Sequence, residues 1–107
     1  MASNFYTKIS SAVGVANTQV GAYAVPALTQ TIVLTLSLAN ITTNAISVSA
    51  WYGANSGANT SIVTNAPVPV GGTLVINKQV LQANDKIYVA SSAAASIDAI
   101  MSVLEIS

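Results

Sequence analysis

The chain has no cysteine, no histidine and no arginine, and only three lysines and three acids carry charge among its 107 residues. Each absence removes a class of chemistry. Without cysteine there is no disulfide, no thiolate nucleophile and no sulfur metal site, and redox chemistry gives no clue to the compartment. Without histidine there is no imidazole base and no nitrogen ligand for zinc. A net charge of zero without arginine leaves no electrostatic footprint for nucleic acid and no basic membrane-surface helix. No uninterrupted apolar run approaches the ~18 residues of a membrane helix. Lys8 and residues 9–16 have the outline of a secretion signal, but Ser10, Ser11 and Gly14 break the run. The expectation is therefore a mature N-terminus without a signal.

What the chain does have is 52% hydrophobic residues in a sequence rich in Ser, Thr and Asn. A folded monomer of this mass exposes about 5,500 Å², against about 15,700 Å² for the extended chain, so a single domain with a real core is expected. Six charges on that surface are far fewer than a freely soluble domain carries.

The hydrophobic period is two. Ile32, Leu34, Leu36 and Leu38 fall on one face of a strand, opposite Val33, Thr35, Ser37 and Ala39. Residues 40–44 read as a turn built from side chains that bond their own backbone. Ile46, Val48, Ala50 and Tyr52 then share a face opposite Ser47, Ser49 and Trp51. The loop over 53–60 reads as a hairpin tip. Ile62 and Val63 begin a return strand whose Pro67 and Pro69 mark it as an edge or a crossing. Gly71 and Gly72 turn the chain into a short strand with Leu74 and Ile76. Asn84 suits a left-handed turn position. Ile87 and Val89 face the core, with Lys86 and Tyr88 outward, and residues 91–96 connect tightly to a last strand over 97–106. In the first thirty residues, 5–9 and 20–25 are strand candidates. Seven to nine short strands with turn signals between them predict an all-β fold, a single-domain antiparallel β-sandwich or jelly roll of about eight strands. Residues 1–19 form an N-terminal arm or a first strand, and 20–107 form the sandwich domain.

Little here carries chemistry. Asp98 and Glu105, seven apart on one strand, point to opposite faces. Asp85 beside Lys86 reads as a solvated pair in a turn. Serines are plentiful, but only lysine is available as a base and no nucleophile-elbow pattern occurs. Gly71-Gly72 lacks the lysine and spacing of a phosphate loop. No catalytic, cofactor-binding or metal-binding residue is assigned, no cofactor is expected, and the chain is read as a non-enzyme. Asn40-Ile41-Thr42 and Asn59-Thr60-Ser61 match the glycosylation sequon, as chance allows in so Asn- and Thr-rich a chain.

Apolar side chains on the wrong face are more informative. Parity turns Trp51, Val75 and Tyr88 outward, and the last strand is apolar on both faces, which asks for a second covering layer. Residues 31–39 contain no charge and no proline, so as a free edge they would template aggregation. Phe5 and Tyr6 fit an arm reaching across a neighbour, or a first strand. The candidate interface is Phe5, Tyr6, Trp51, Val75 and Tyr88, and the working form is expected to be an assembly.

The segments Ile32-Val33-Leu34-Thr35-Leu36-Ser37-Leu38-Ala39-Asn40 and Asn65-Ala66-Pro67-Val68-Pro69-Val70-Gly71-Gly72-Thr73-Leu74 resemble those of small virion structural proteins of tailed bacteriophages. Leu81-Gln82-Ala83-Asn84-Asp85-Lys86-Ile87-Tyr88-Val89 and Asp98-Ala99-Ile100-Met101-Ser102-Val103-Leu104-Glu105-Ile106 continue the resemblance, which spans residue 26 to the end. Asn84 stands where that group usually has glycine. The resemblance implies a β-sandwich accessory protein of the head or tail, without a catalytic site. A capsid cement or decoration protein, made in the host cytoplasm and residing in the virion, is the leading expectation. Its partners would be the major capsid protein or other virion proteins, with self-assembly into a trimer or higher oligomer and no nucleic acid or membrane. A neck or tail component, a carbohydrate-binding module using Trp51, Tyr52 and residues 55–59, and a pilus or fibre subunit are the alternatives.

Overall fold

A computed structural model describes residues 3–54, 57 and 59–107. Eight strands run in order: β1 (Ser3–Val13), β2 (Thr18–Gln19), β3 (Gln30–Asn40), β4 (Ile46–Gly53), β5 (Asn59–Val68), β6 (Thr73–Leu81), β7 (Lys86–Ser91) and β8 (Ile97–Ile106). They form two four-stranded sheets, β1-β8-β3-β6 and β2-β7-β4-β5, with every pairing antiparallel. The fold is the all-β sandwich that the period of two predicts. No helix among the described residues is long and apolar enough to cross a membrane.

The core lies between the sheets. Leu36, Leu38, Met101 and Val103 from the first sheet meet Val48, Ile87 and Val89 from the second, all of them buried. The chain passes from the first sheet to the second at Asn40. Its side-chain nitrogen donates to the carbonyls of Asn44 (2.8 Å), Val68 (3.2 Å) and Pro69 (3.2 Å). Its Oδ1 accepts from the Thr42 backbone N–H (2.9 Å) and hydroxyl (2.7 Å). One buried amide thereby ties the β3–β4 turn to the β5–β6 turn and satisfies the carbonyl of buried Val68. Asn40 is 7% exposed, so the first sequon is closed in the folded chain.

Four expectations need correcting. Ile32 and Leu34 do not share a face with Leu36 and Leu38: a bulge between Val33 and Thr35 reverses parity, so Thr31 and Val33 face the core before it and Leu36 and Leu38 after it. β3 is not a free edge but an inner strand, hydrogen-bonded to β8 and to β6. The edges are β1, β6, β2 and β5, and two of them carry interruptions of the kind that discourage pairing: Pro67 lies in β5, and Lys78 sits in β6 at φ 47°. Residues 20–25 are not a strand. Val20–Ala22 make a single 3-10 turn, with Gly21 at φ 60° and so close to β1 that an added Cβ would lie 2.7 Å from Lys8 Cβ. Finally, Asp85 is not solvated but 4% exposed. It accepts the Gln82 N–H (2.8 Å) and the Tyr52 hydroxyl, and so closes the β6–β7 turn from inside. Asn84, at φ 68°, takes the left-handed position in that turn.

Candidate functional site

The three carboxylates are dispersed and each has a local task. Asp85 holds Tyr52 and the β6–β7 turn. Glu105 accepts the Tyr23 hydroxyl at 2.5 Å, and that hydroxyl also bonds Thr31 at 2.8 Å. Asp98 accepts the backbone N–H of Ala12 at 2.8 Å, where β1 departs from regular pairing. Burial, then the neighbouring carboxylate, pushes the Tyr23 and Tyr52 hydroxyls to ionise well above the ordinary tyrosine value. No group of three metal-ligating side chains occurs among the described residues. These contacts anchor strand ends and turns; they do not converge on a cavity.

The candidate surfaces are instead the outer faces of the two sheets. Strand pairing arranges the outer face of the first sheet in transverse rows. One row runs Phe5, Leu104, Ile32, Val80 across β1, β8, β3 and β6. The next is Thr7, Ser102, Thr35, Asn77, and the third is Ile9, Ile100, Ser37, Val75. Phe5 is 73% exposed, Ile9 57%, Val80 56% and Val75 51%, while Ile32, Leu34 and Leu104 are half-buried between them. The β3 bulge opens a dent of about 290 Å³ lined by Phe5, Thr7, Leu34 and Ser102. None of the six charged residues falls in these rows. These three rows carry no charge, and Phe5, Ile9, Val75 and Val80 stand exposed on them.

The outer face of the second sheet is different. Trp51 and Tyr88 are directly paired across β4 and β7, both half-buried, with Gln19 of β2 beside Tyr88. Trp51 and Val15 also line a groove of about 320 Å³ whose other walls are small or polar, among them Ser47, Ser49, Asn65 and Ser92. Asn65, at φ 49°, donates its N–H to Ser49 Oγ at 2.9 Å, so the β5 bulge shapes the groove wall.

The predicted interface residues thus fall into three places. Phe5 and Val75 lie on the outer face of the first sheet, in different rows. Trp51 and Tyr88 are neighbours on the second. Tyr6 pairs with Val103 on the inward side of β1, where Lys8 Nζ stands 5.1 Å from its ring centroid and 5.1 Å from that of Tyr23. Ile9, Val80 and Ile32 join the first face although parity alone did not bring them there; they become visible once the bulge and the strand order are known. Residues 55, 56 and 58 of the Asn-rich loop, invoked for a sugar platform, lie outside the described residues. Tyr52, the other aromatic of that platform, points inward to Asp85.

No protein-family model matches the chain. No curated protein is similar to it in sequence at a significant level. Among the solved structures that resemble its fold are two of different kinds. One belongs to Bacillus endospore appendages, described as disulfide-linked pili, with a TM-score of 0.58 and 11% identity over 97% of this chain and 84% of that one. The other is a chain of infectious bursal disease virus, Gx strain, with a TM-score of 0.50 and 9% identity over 96% of this chain. This chain spans about a third of the viral one, 32% of its length. At such identities the likeness establishes a shared sandwich architecture.

Proposed function

We propose that the chain is a non-enzymatic structural subunit of a virus particle, a cement or decoration protein that sits on the capsid and clamps neighbouring subunits. The observation that carries this reading is the outer face of the first sheet, where two largely apolar rows flank a row of hydroxyls and an amide and none of the three rows carries a charge. A domain living alone in water spreads charge over such a face, whereas a subunit fixed in an assembly buries it. The dispersed carboxylates, each engaged in a turn or strand contact, fit a scaffold with no chemistry of its own. The fold likeness to a virus chain and the resemblance to phage virion proteins point the same way. Within this reading residues 1–19, whose β1 and β2 are edge strands of the sandwich completed by residues 20–107, bring the margin of that face to a neighbour.

The test is composition and stability of purified particles. The chain should co-purify with the major capsid protein in a fixed ratio, and particles stripped of it should disrupt at lower temperature until it is added back. Its absence from particles would end the proposal, and its restriction to neck or tail fractions would move it there.

A second reading is a fibre subunit, favoured by the likeness to a spore-appendage pilus. Those pili are described as disulfide-linked; this chain has no cysteine, so any fibre it built would be held by non-covalent contacts alone. Filaments formed by the purified chain by itself would support this reading over the capsid one.

A further inference from the structure

We infer that the outer face of the first sheet is a self-complementary surface that a second copy of this chain covers, face to face across a two-fold axis. The inference rests on the assembly reading above and names the partner of one of its surfaces.

The argument is the pattern of the rows. The hydroxyl and amide row Thr7, Ser102, Thr35, Asn77 crosses all four strands at mid-face, with a largely apolar row on either side. The sequence of rows, apolar, polar, apolar, reads the same in both directions. A two-fold axis lying between two such faces therefore sets polar row on polar row and apolar row on apolar row, whether the axis runs along the strands or across them. Threonine and serine hydroxyls and the asparagine amide both donate and accept, so the row can hydrogen-bond to a copy of itself, which a row of charges of one sign could not do. Among the described residues none of these four side chains forms a hydrogen bond within the chain.

Charge and size agree. Lys8 and Glu105 lie on the inward side, Lys86 is on the other sheet and Asp85 is buried, which leaves Lys78 on the edge strand and Asp98 at the far end of β8. Opposed copies would therefore bring no like charges together at the centre. The molecule measures 45 × 25 × 18 Å; its broad face is roughly 1,100 Å² in projection, against about 800 Å² per partner in a standard interface. Two copies carry the same sheet twist, so their strands can stack nearly aligned, about 10 Å apart, as in any sandwich.

Sedimentation equilibrium of the purified full chain tests this. The wild type is expected to be a dimer or a higher even-numbered oligomer. Val75→Lys, at a site already half exposed, and Ser102→Glu at the centre should each weaken association more than about 100-fold, with the circular dichroism of Val75→Lys unchanged and its melting temperature no longer dependent on concentration. Mixing the Ser102→Lys and Ser102→Glu variants should restore pairing, because the polar row faces itself. A wild type that stays monomeric at all concentrations overturns the inference, as does a dimer indifferent to both substitutions. A monomer that still binds particles would show that another virion protein covers the face: the inference would fail while the proposed function stood. A dimer of the expected kind that is missing from particles would do the reverse.

Discussion

Replacing Asn40 with alanine removes the amide that links two turns at one end of the sandwich. Three donated and two accepted hydrogen bonds disappear. They do not count equally, because Thr42 and Asn44 lie at the surface, where water replaces a lost partner. The Val68 carbonyl belongs to a residue only 2% exposed and has no such recourse. One stranded buried acceptor costs about 1–3 kcal/mol and the remaining bonds about 0.5 kcal/mol each, which gives roughly 4 kcal/mol for the substitution. In a domain of this size each kcal/mol lowers Tm by about 4–5 °C, so Asn40→Ala should melt about 18 °C below the wild type in a calorimetric scan. Asn40→Asp discriminates the cause. It keeps the shape but loses the donor and aims a carboxylate at three carbonyls, so at neutral pH it should be no more stable than the alanine variant. Burial among acceptors raises the proton affinity of the new carboxyl above its value in the unfolded chain. Its stabilising contribution is therefore present in acid and lost as pH rises, and the aspartate variant should recover relative to the wild type below about pH 4. An aspartate variant as stable as the wild type at pH 7 would refute the hydrogen-bond account, and an alanine shift of under about 3 °C would refute the magnitude.

Gly21→Ala forces an alanine to φ 60° and sets a methyl 2.7 Å from Lys8 Cβ; a loss of about 2 kcal/mol and faster proteolysis within β1 are expected, read by denaturant titration and limited digestion. Met101→Ala, at a fully buried core position, should cost about 2–5 kcal/mol in the same titration. Tyr23 and Tyr52 hold their protons above the ordinary value of 10.0. For groups so raised, the stabilisation is complete below the unfolded value and fades as pH climbs past it, so ΔG of unfolding should be level below pH 10 and fall above it. Replacing both tyrosines with phenylalanine should flatten that alkaline decline. Trp51→Ala removes one half of the Trp51–Tyr88 pair and should cost only about 0.5–1 kcal/mol; a larger loss would mean that the tryptophan is a core residue.

The fold was largely legible because its signals are local. Alternation in 46–52 and 87–89, the prolines of β5, and the turn residues Asn40 and Asn84 each report their own surroundings, and all appear in the structure as read. Two local patterns misled. The run from Ile32 to Leu38 alternates without a break, yet the bulge that reverses its parity leaves no mark in the residues themselves, since it is set by register against β8, where Val33 and Thr35 pair with the adjacent Val103 and Ser102. Asp85 looks solvent-facing beside Lys86, and only Tyr52, 33 residues away, shows it to be an internal tie. The outer faces were legible in part. Outward parity placed Val75, Trp51 and Tyr88 on them, but it could not tell that Trp51 and Val75 belong to opposite sides of the molecule.

By itself the sequence determined the class of structure and the kinds of chemistry open to it, because side-chain period and the absence of imidazole, thiol and guanidinium are properties of the chain at each point. Only the tertiary structure decided which strands are neighbours. That choice lines Phe5, Leu104, Ile32 and Val80 in one row and Thr7, Ser102, Thr35 and Asn77 in the next. A row across a sheet draws one residue from each of four distant segments, and its alignment is fixed by hydrogen-bond register and by a bulge, neither of which any single segment contains.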